Sequence, residues 1–141
     1  MNKLAIISSR FPYPLDKGDK LRLYYQIRDL SASFEIILIS LIDESYNDQH
    51  RSALEPYCQS IHTLFLSQNK SRFSVIKSLI TGSSLPAQCA YFYNKSIDTQ
   101  IQKLLITSSP DHIYCQLIRT AQYARHADHK KSIDLMDAFS F

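Results

Sequence analysis

The chain has 141 residues, 45% of them hydrophobic and 21% charged, with a net charge of +3. That length suits one domain able to bury roughly two-thirds of its unfolded surface, and the composition excludes a disordered, collagenous or turn-dense all-β chain. Sixteen Lys and Arg against thirteen Asp and Glu are too evenly balanced for a nucleic-acid-binding tail, so no nucleic-acid partner is expected.

In chain order, Leu4–Ile7 is a short β-like apolar run ending at Ser8 and Ser9. With Arg10, Pro12 and Pro14 close behind, it is too brief for a signal-peptide core, and no stretch approaches the ~20 apolar residues of a membrane span. After Gly18, the residues Leu23, Ile27 and Leu30 recur at i, i+4 and i+7, which predicts a helix. Glu35–Ile42 is apolar on both faces, as a central parallel strand should be. A polar helix is expected over Asn47–Tyr57, interrupted near Pro56, and a third strand over Ile61–Leu66. Ser71–Ile80 reads as a helix with Phe73, Ile76, Leu79 and Ile80 on one side. Beyond the loop around Pro86, Ile97, Ile101, Leu104 and Leu105 mark a helix over Ser96–Ile106. His112–Cys115 is expected as a fourth strand, Ile118–His126 as a helix and Ser132–Met136 as a last strand ending at Asp137.

Strands alternating with helices predict an α/β fold, a doubly wound parallel sheet with right-handed crossovers and helices on both faces. The sequence stops soon after Asp137 with no helix to close the last strand, which reads as a cut at a domain boundary. Exposed apolar surface and self-association are expected at that end. Cys58, Cys89 and Cys115 form no CxxC, and the apolar context of two of them fits buried thiols of a reducing cytoplasm rather than a disulfide framework.

Ligands of open α/β sheets bind outside the carboxyl ends of the strands, near the point where the strand order reverses. Three segments qualify. The loop after the first strand, Ser8–Lys20, is neither GxGxxG nor a Walker loop, having one glycine, Gly18. Gly18, a helix N-terminus and the cluster Lys17, Lys20 and Arg22 suit an anion, with Gly18 expected to allow close backbone approach at positive φ. Equally, Asp19 is a candidate N-cap and the bases solvated first-turn charges. After the fourth strand, Gln116 and Arg119 are donors three residues apart, with an ordinary polar loop as the plainer alternative. At the end of the fifth strand, Asp134–Asp137 offers carboxylates for a sugar hydroxyl, or an N-cap.

Other constellations carry less. His126, Asp128 and His129 fit no common zinc spacing, and no Ser, Cys or His sits in a nucleophile elbow, so neither a metal nor a nucleophile is expected. Between Glu55 and Asp98 the sequence has no acidic residue but carries Lys70, Arg72, Lys77 and Lys95, accompanied by Phe73, Tyr91, Phe92 and Tyr93. This stretch suits either a face that meets anionic lipid, as a peripheral membrane contact, or a cationic outer face whose aromatics fill the core.

The segments RFPYPLDKGDKLRLYYQIRDLS, LPAQCAYFYNKSI, IYCQLIRTAQYAR and DLMDAFSF resemble successive landmarks of the amino-terminal half of bacterial family-four glycosyltransferases, of the group associated with polysaccharide assembly. The resemblance spans essentially the whole chain, and PYPLDKGDKxR and YCQLIR are its most specific parts. It implies an acceptor-side Rossmann-like domain of a GT-B enzyme, cytoplasmic or peripheral at the inner face of the membrane. Such enzymes transfer a sugar from a nucleotide-sugar donor to a glycan or lipid-linked acceptor with retention and without a metal or other cofactor. By the same resemblance Gly18 and Asp19 match the loop near the donor phosphates and acceptor, Lys20 and Arg22 its basic helix start, Gln116 and Arg119 the segment after strand four, and Asp137 the end of strand five. Many family members carry a histidine after strand four; this chain has Cys115 and Gln116 there, so no catalytic base is assigned. The donor-binding domain with its paired glutamates is absent from the sequence, which implies a partner domain and no transfer by this chain alone. Two other classes stay open: a standalone α/β binding module that pairs with a separate donor domain, and a nucleotide-binding oxidoreductase domain. The oxidoreductase is disfavoured because two glycines cannot supply its fingerprint and only Asp43 ends strand two near the ribose position.

Overall fold

A computed structural model describes residues 1–82 and 87–135. Five strands form one sheet in the order β3-β2-β1-β4-β5, all neighbours parallel. They are β1 (Asn2–Ser8), β2 (Phe34–Ile42), β3 (Ser60–Phe65), β4 (His112–Gln116) and β5 (Lys130–Asp134). The helices are α1 (Gly18–Leu30), α2 (Gln68–Thr81), α3 (Ala87–Phe92), α4 (Lys95–Ser108) and α5 (Ile118–Ala124).

The central strands are apolar on both faces because each face meets a helix layer. Leu4, Ile6, Ile36 and Leu38 pack with Leu23 and Ile27 of α1 on one side. Ala5, Ile7, Ile37, Ile39 and Leu41 pack with Ile97, Ile101 and Leu105 of α4 and with Tyr123 of α5 on the other. Period-2 alternation in the strands thus divides the core into two clusters. The expected doubly wound α/β architecture is what the structure shows. Cys89 and Cys115 are buried and Cys58 half-buried, all free thiols. Burial pushes the Cys58 thiol up to about 12 and that of Cys115 up to about 11, so neither is nucleophilic near neutral pH.

Local departures from the sequence expectations have physical causes. The segment before Pro56 is a 3-10 helix, Asp48–Ala53, rather than an α-helix, capped by Asn47 whose side chain accepts from Gln49 N at 2.9 Å. α3 is an extra short helix, and the expected loop at Pro86 lies outside the described residues. β5 runs Lys130–Asp134, two residues earlier than expected at its start, because Tyr114 pairs with Ser132 and Cys115 with Ile133 in the ladder. Among the described residues it is an edge strand on which Ile133 lies open, with Leu135 exposed just beyond it, while Lys130 and Lys131 discourage strand addition.

Candidate functional site

The strand order reverses between β1 and β4, so the crevice at their carboxyl ends is where a ligand is expected. Ser8 and Gln116 lie one residue beyond the Ile7–Cys115 pair of that ladder, and both are buried. Across the crevice stands the first turn of α1. The Gln116 Nε2 amide donates to the Asp19 carbonyl at 2.9 Å, tying two segments 97 residues apart in sequence. Asp19 is buried, and Arg10 Nη1 approaches its Oδ2 at 3.5 Å, an ion-pair distance without hydrogen-bond geometry. Ser8 Oγ, Ser9 Oγ and Gln116 Oε1 are enclosed and make no hydrogen bond among the described residues. Enclosed hydroxyls and an amide oxygen without partners are costly unless something completes them.

The turn that presents these groups is strained. Leu117 holds φ +65° and ψ 158° between β4 and α5, a region an L side chain rarely adopts. That conformation reverses the chain so that Arg119, also buried, stacks its guanidinium 5.1 Å over the Phe92 ring.

Phe92 is one wall of a cleft of about 240 Å³ beside the crevice. The loop after β1 contributes Ser9, Arg10, Phe11, Tyr13 and Lys17 to it, and the first turn of α1 adds Lys20. The end of β2 and the 3-10 helix add Asp43, Ser45, Tyr46 and His50, while α2 and α3 add Gln68, Ser71 and Tyr91. The aromatic rings meet edge to face, Phe11 on Tyr46 at 5.0 Å and Tyr13 on His50 at 5.8 Å. Lys20 is held at the rim by Asp16, 3.2 Å away, and that contact keeps the Asp16 carboxyl below its ordinary value.

Asp43 is the carboxylate inside the cleft. Burial would raise its pKa, but the Ser45 hydroxyl and N–H, Gln68 and the charge of Lys20 together outweigh burial and hold it below the usual 3.8. Ser45 Oγ donates to Asp43 Oδ1 at 2.5 Å and Ser45 N at 2.9 Å. A depressed folded-state pKa means that the unfolded chain binds more protons between the folded value and 3.8. The Asp43 contribution is therefore present above that window and disappears as pH falls through it. Urea denaturation from about pH 5 to about pH 3 should show stability falling, and the fall should be shallower in Asp43→Asn. Equal slopes for the two proteins would assign the loss to other carboxylates.

The structure brings Asp19, Lys20, Gln116 and Arg119 to the crevice and cleft and separates two other expected site residues from them. Arg22 does not reach back over the helix start. Its Nε lies 3.2 Å and its Nη2 3.3 Å from the Asp134 carboxylate at the end of β5. Asp134 also accepts from the Tyr114 hydroxyl at 3.0 Å, so this carboxylate ties α1 to β4 and β5 instead of awaiting a sugar hydroxyl. Burial, then the Asp134 carboxylate, raises the Tyr114 phenol to about 12. Because Arg22 is 46% exposed, Arg22→Ala should cost only about 0.5–1 kcal/mol in urea denaturation, within the range of surface ion pairs. A loss beyond about 2 kcal/mol would show the pair to be more deeply coupled.

Gly18 also differs from expectation. It is the first residue of α1, its φ is not in the left-handed region, and a Cβ there would meet nothing within 4 Å. Among the described residues no backbone constraint requires glycine at this position. Asp19 is not the N-cap either; Lys17 holds that position without a side-chain cap, and Asp19 lies inside the first turn. Asp137 lies outside the described residues. Tyr46, His50 and Gln68 come from the segments after β2 and β3, which the expected site at the ends of strands one, four and five does not include, and Tyr91 of the basic, aromatic stretch joins them in the wall. Among the described residues no cluster of three His, Cys, Asp or Glu is placed to hold a metal ion, and no helix is long and apolar enough to cross a membrane.

Compared with known proteins, the chain matches no family model and no curated protein.

Proposed function

We propose that this chain is the acceptor-side domain of a cytoplasmic, retaining glycosyltransferase of cell-surface polysaccharide biosynthesis, working with a second domain that binds the nucleotide-sugar donor. The observation that carries this reading is the bond between Gln116 and the Asp19 carbonyl, which joins the two most specific segments of the family resemblance at one strand-end crevice. The surroundings suit a sugar. Enclosed hydroxyl and amide groups without partners match ligand hydroxyls, the Tyr and Phe rings of the cleft offer apolar faces, and Arg10, Lys17 and Lys20 supply positive charge toward an anionic group.

In this reading the acceptor hydroxyl sits at the crevice and faces the donor across the interdomain cleft. The hydroxyl bonds to the anomeric carbon as the bond to the nucleoside diphosphate breaks, and the departing phosphate takes the proton. This domain then needs to orient the acceptor and stabilise negative charge, and no residue of it acts as the base. The full-length protein incubated with a panel of nucleotide-sugars and a lipid or glycan acceptor extract should release nucleoside diphosphate and form a glycosylated product. Oxidation of an added alcohol substrate with reduction of a nicotinamide cofactor, and no sugar transfer, would replace the proposal with the oxidoreductase reading.

A further inference from the structure

We propose that α2 is a docking helix for the surface of an anionic phospholipid bilayer, a role that does not rest on the proposed sugar transfer. Its sidedness is the reverse of a helix that serves a core. On a helix of 3.6 residues per turn, Ser71, Ser74, Val75 and Ser78 share one side. Ser71 is buried and the other three are half-buried. The hydroxyls of Ser71 and Ser74 turn back onto the helix itself, donating to Ser67 O and Lys70 O at 3.0 Å each. The opposite side carries Phe73, Ile76, Leu79 and Ile80, exposed by 67%, 54%, 73% and 80%. A helix that turns small hydroxyl residues inward and large apolar residues outward has its burial still to make.

Charge selects the occupant. Lys70 and Lys77 flank the apolar face on one side, and Arg72 rises within it between Leu79 and Ile76, all three exposed. No ion pair holds any of them among the described residues, and the sequence places no acidic residue between Glu55 and Asp98. In a symmetric contact with a second copy, these cations would face one another. A bilayer carrying anionic headgroups satisfies both parts at once, as apolar side chains enter the headgroup–acyl boundary while the flanking cations meet phosphates. The same helix contributes Gln68 and Ser71 to the cleft wall, so the docking face and the candidate site are built on one element.

The test is flotation of the full-length protein with vesicles of phosphatidylcholine, with and without phosphatidylglycerol. Binding should be roughly tenfold to a hundredfold stronger with phosphatidylglycerol and should weaken as salt is raised. The double variant Phe73→Ser/Ile80→Ser should lower partitioning about tenfold or more while leaving the circular dichroism spectrum intact, since both side chains are exposed. The triple variant Lys70→Gln/Arg72→Gln/Lys77→Gln should abolish the preference for phosphatidylglycerol. Absence of binding to either vesicle, or binding indifferent to both sets of substitutions, overturns the proposal. Self-association that Phe73→Ser/Ile80→Ser disperses, without vesicle binding, overturns it in favour of a second copy.

Discussion

Tyr123→Ala should destabilise the protein by about 3–5 kcal/mol, enough to unfold a domain of ordinary stability at moderate urea concentration. Tyr123 is fully buried, and its ring stacks on Tyr93 with centroids 5.4 Å apart. Its hydroxyl does what no apolar side chain can do there. It donates to the Phe92 carbonyl and accepts from Asn94 N at 2.9 Å, satisfying backbone groups where α3 gives way to α4. The Gln102 amide returns to the Tyr123 carbonyl at 2.7 Å, so α4 and α5 are joined at both ends of this residue. Tyr123→Phe separates the two contributions, because it keeps the ring and strands the Phe92 carbonyl and the Asn94 N–H. It should cost about 1–3 kcal/mol by urea denaturation. A Phe variant as stable as the native protein would mean that these backbone groups are satisfied in another way. Burial also pushes the Tyr123 phenol up from its ordinary value of 10.0, so the folded protein keeps its proton where the unfolded chain loses it. The Tyr123 contribution is complete below pH 10.0 and declines as pH rises above it.

Under the proposed sugar transfer, turnover by the protein together with its donor domain should fall by about ten- to a hundredfold in Gln116→Ala, equivalent to about 1.4–2.7 kcal/mol of transition-state stabilisation. Two losses combine. The amide donor that holds the first turn of α1 at the crevice disappears, and so does the enclosed Oε1 that the proposal pairs with a ligand hydroxyl. Positioning losses of this kind act on the reaction rate more than on global folding when the tertiary core is intact. The core clusters do not include Gln116, so a thermal melt should still show one cooperative transition. Native turnover in a folded Gln116→Ala protein would remove this residue from the site. A fall in apparent affinity for the acceptor without a fall in turnover would assign it to uniform binding.

Much of the architecture was legible because it depends on local patterning. Apolar residues on both faces of Phe34–Ile42 identify a strand enclosed by two helix layers, and Leu23 and Ile27 identify the helix face that covers one of them. The expected site segments after β1 and β4 also proved adjacent, since parallel strands present all their carboxyl ends along one edge.

Which partner a side chain meets depends on strand order and on loops that no local pattern encodes. Arg22 turns to Asp134, 112 residues away, because Asp19 and Gln26 tie α1 to Gln116 and Tyr114 of β4, with β5 next in the sheet. Asp43, His50 and Gln68 converge with Arg10 and Tyr13 because β2 lies beside β1 and β3 beside β2, all ending at the same edge. Helical spacing grouped Phe73, Ile76, Leu79 and Ile80 on one side of α2, but periodicity has no sign: it tells which residues share a face and not whether that face turns inward or outward. The sequence by itself therefore determined the elements, the parallel α/β class and the faces each element carries. The tertiary structure decided where those faces point and which distant side chains share a site, because contacts between distant segments exist only once the sheet has assembled.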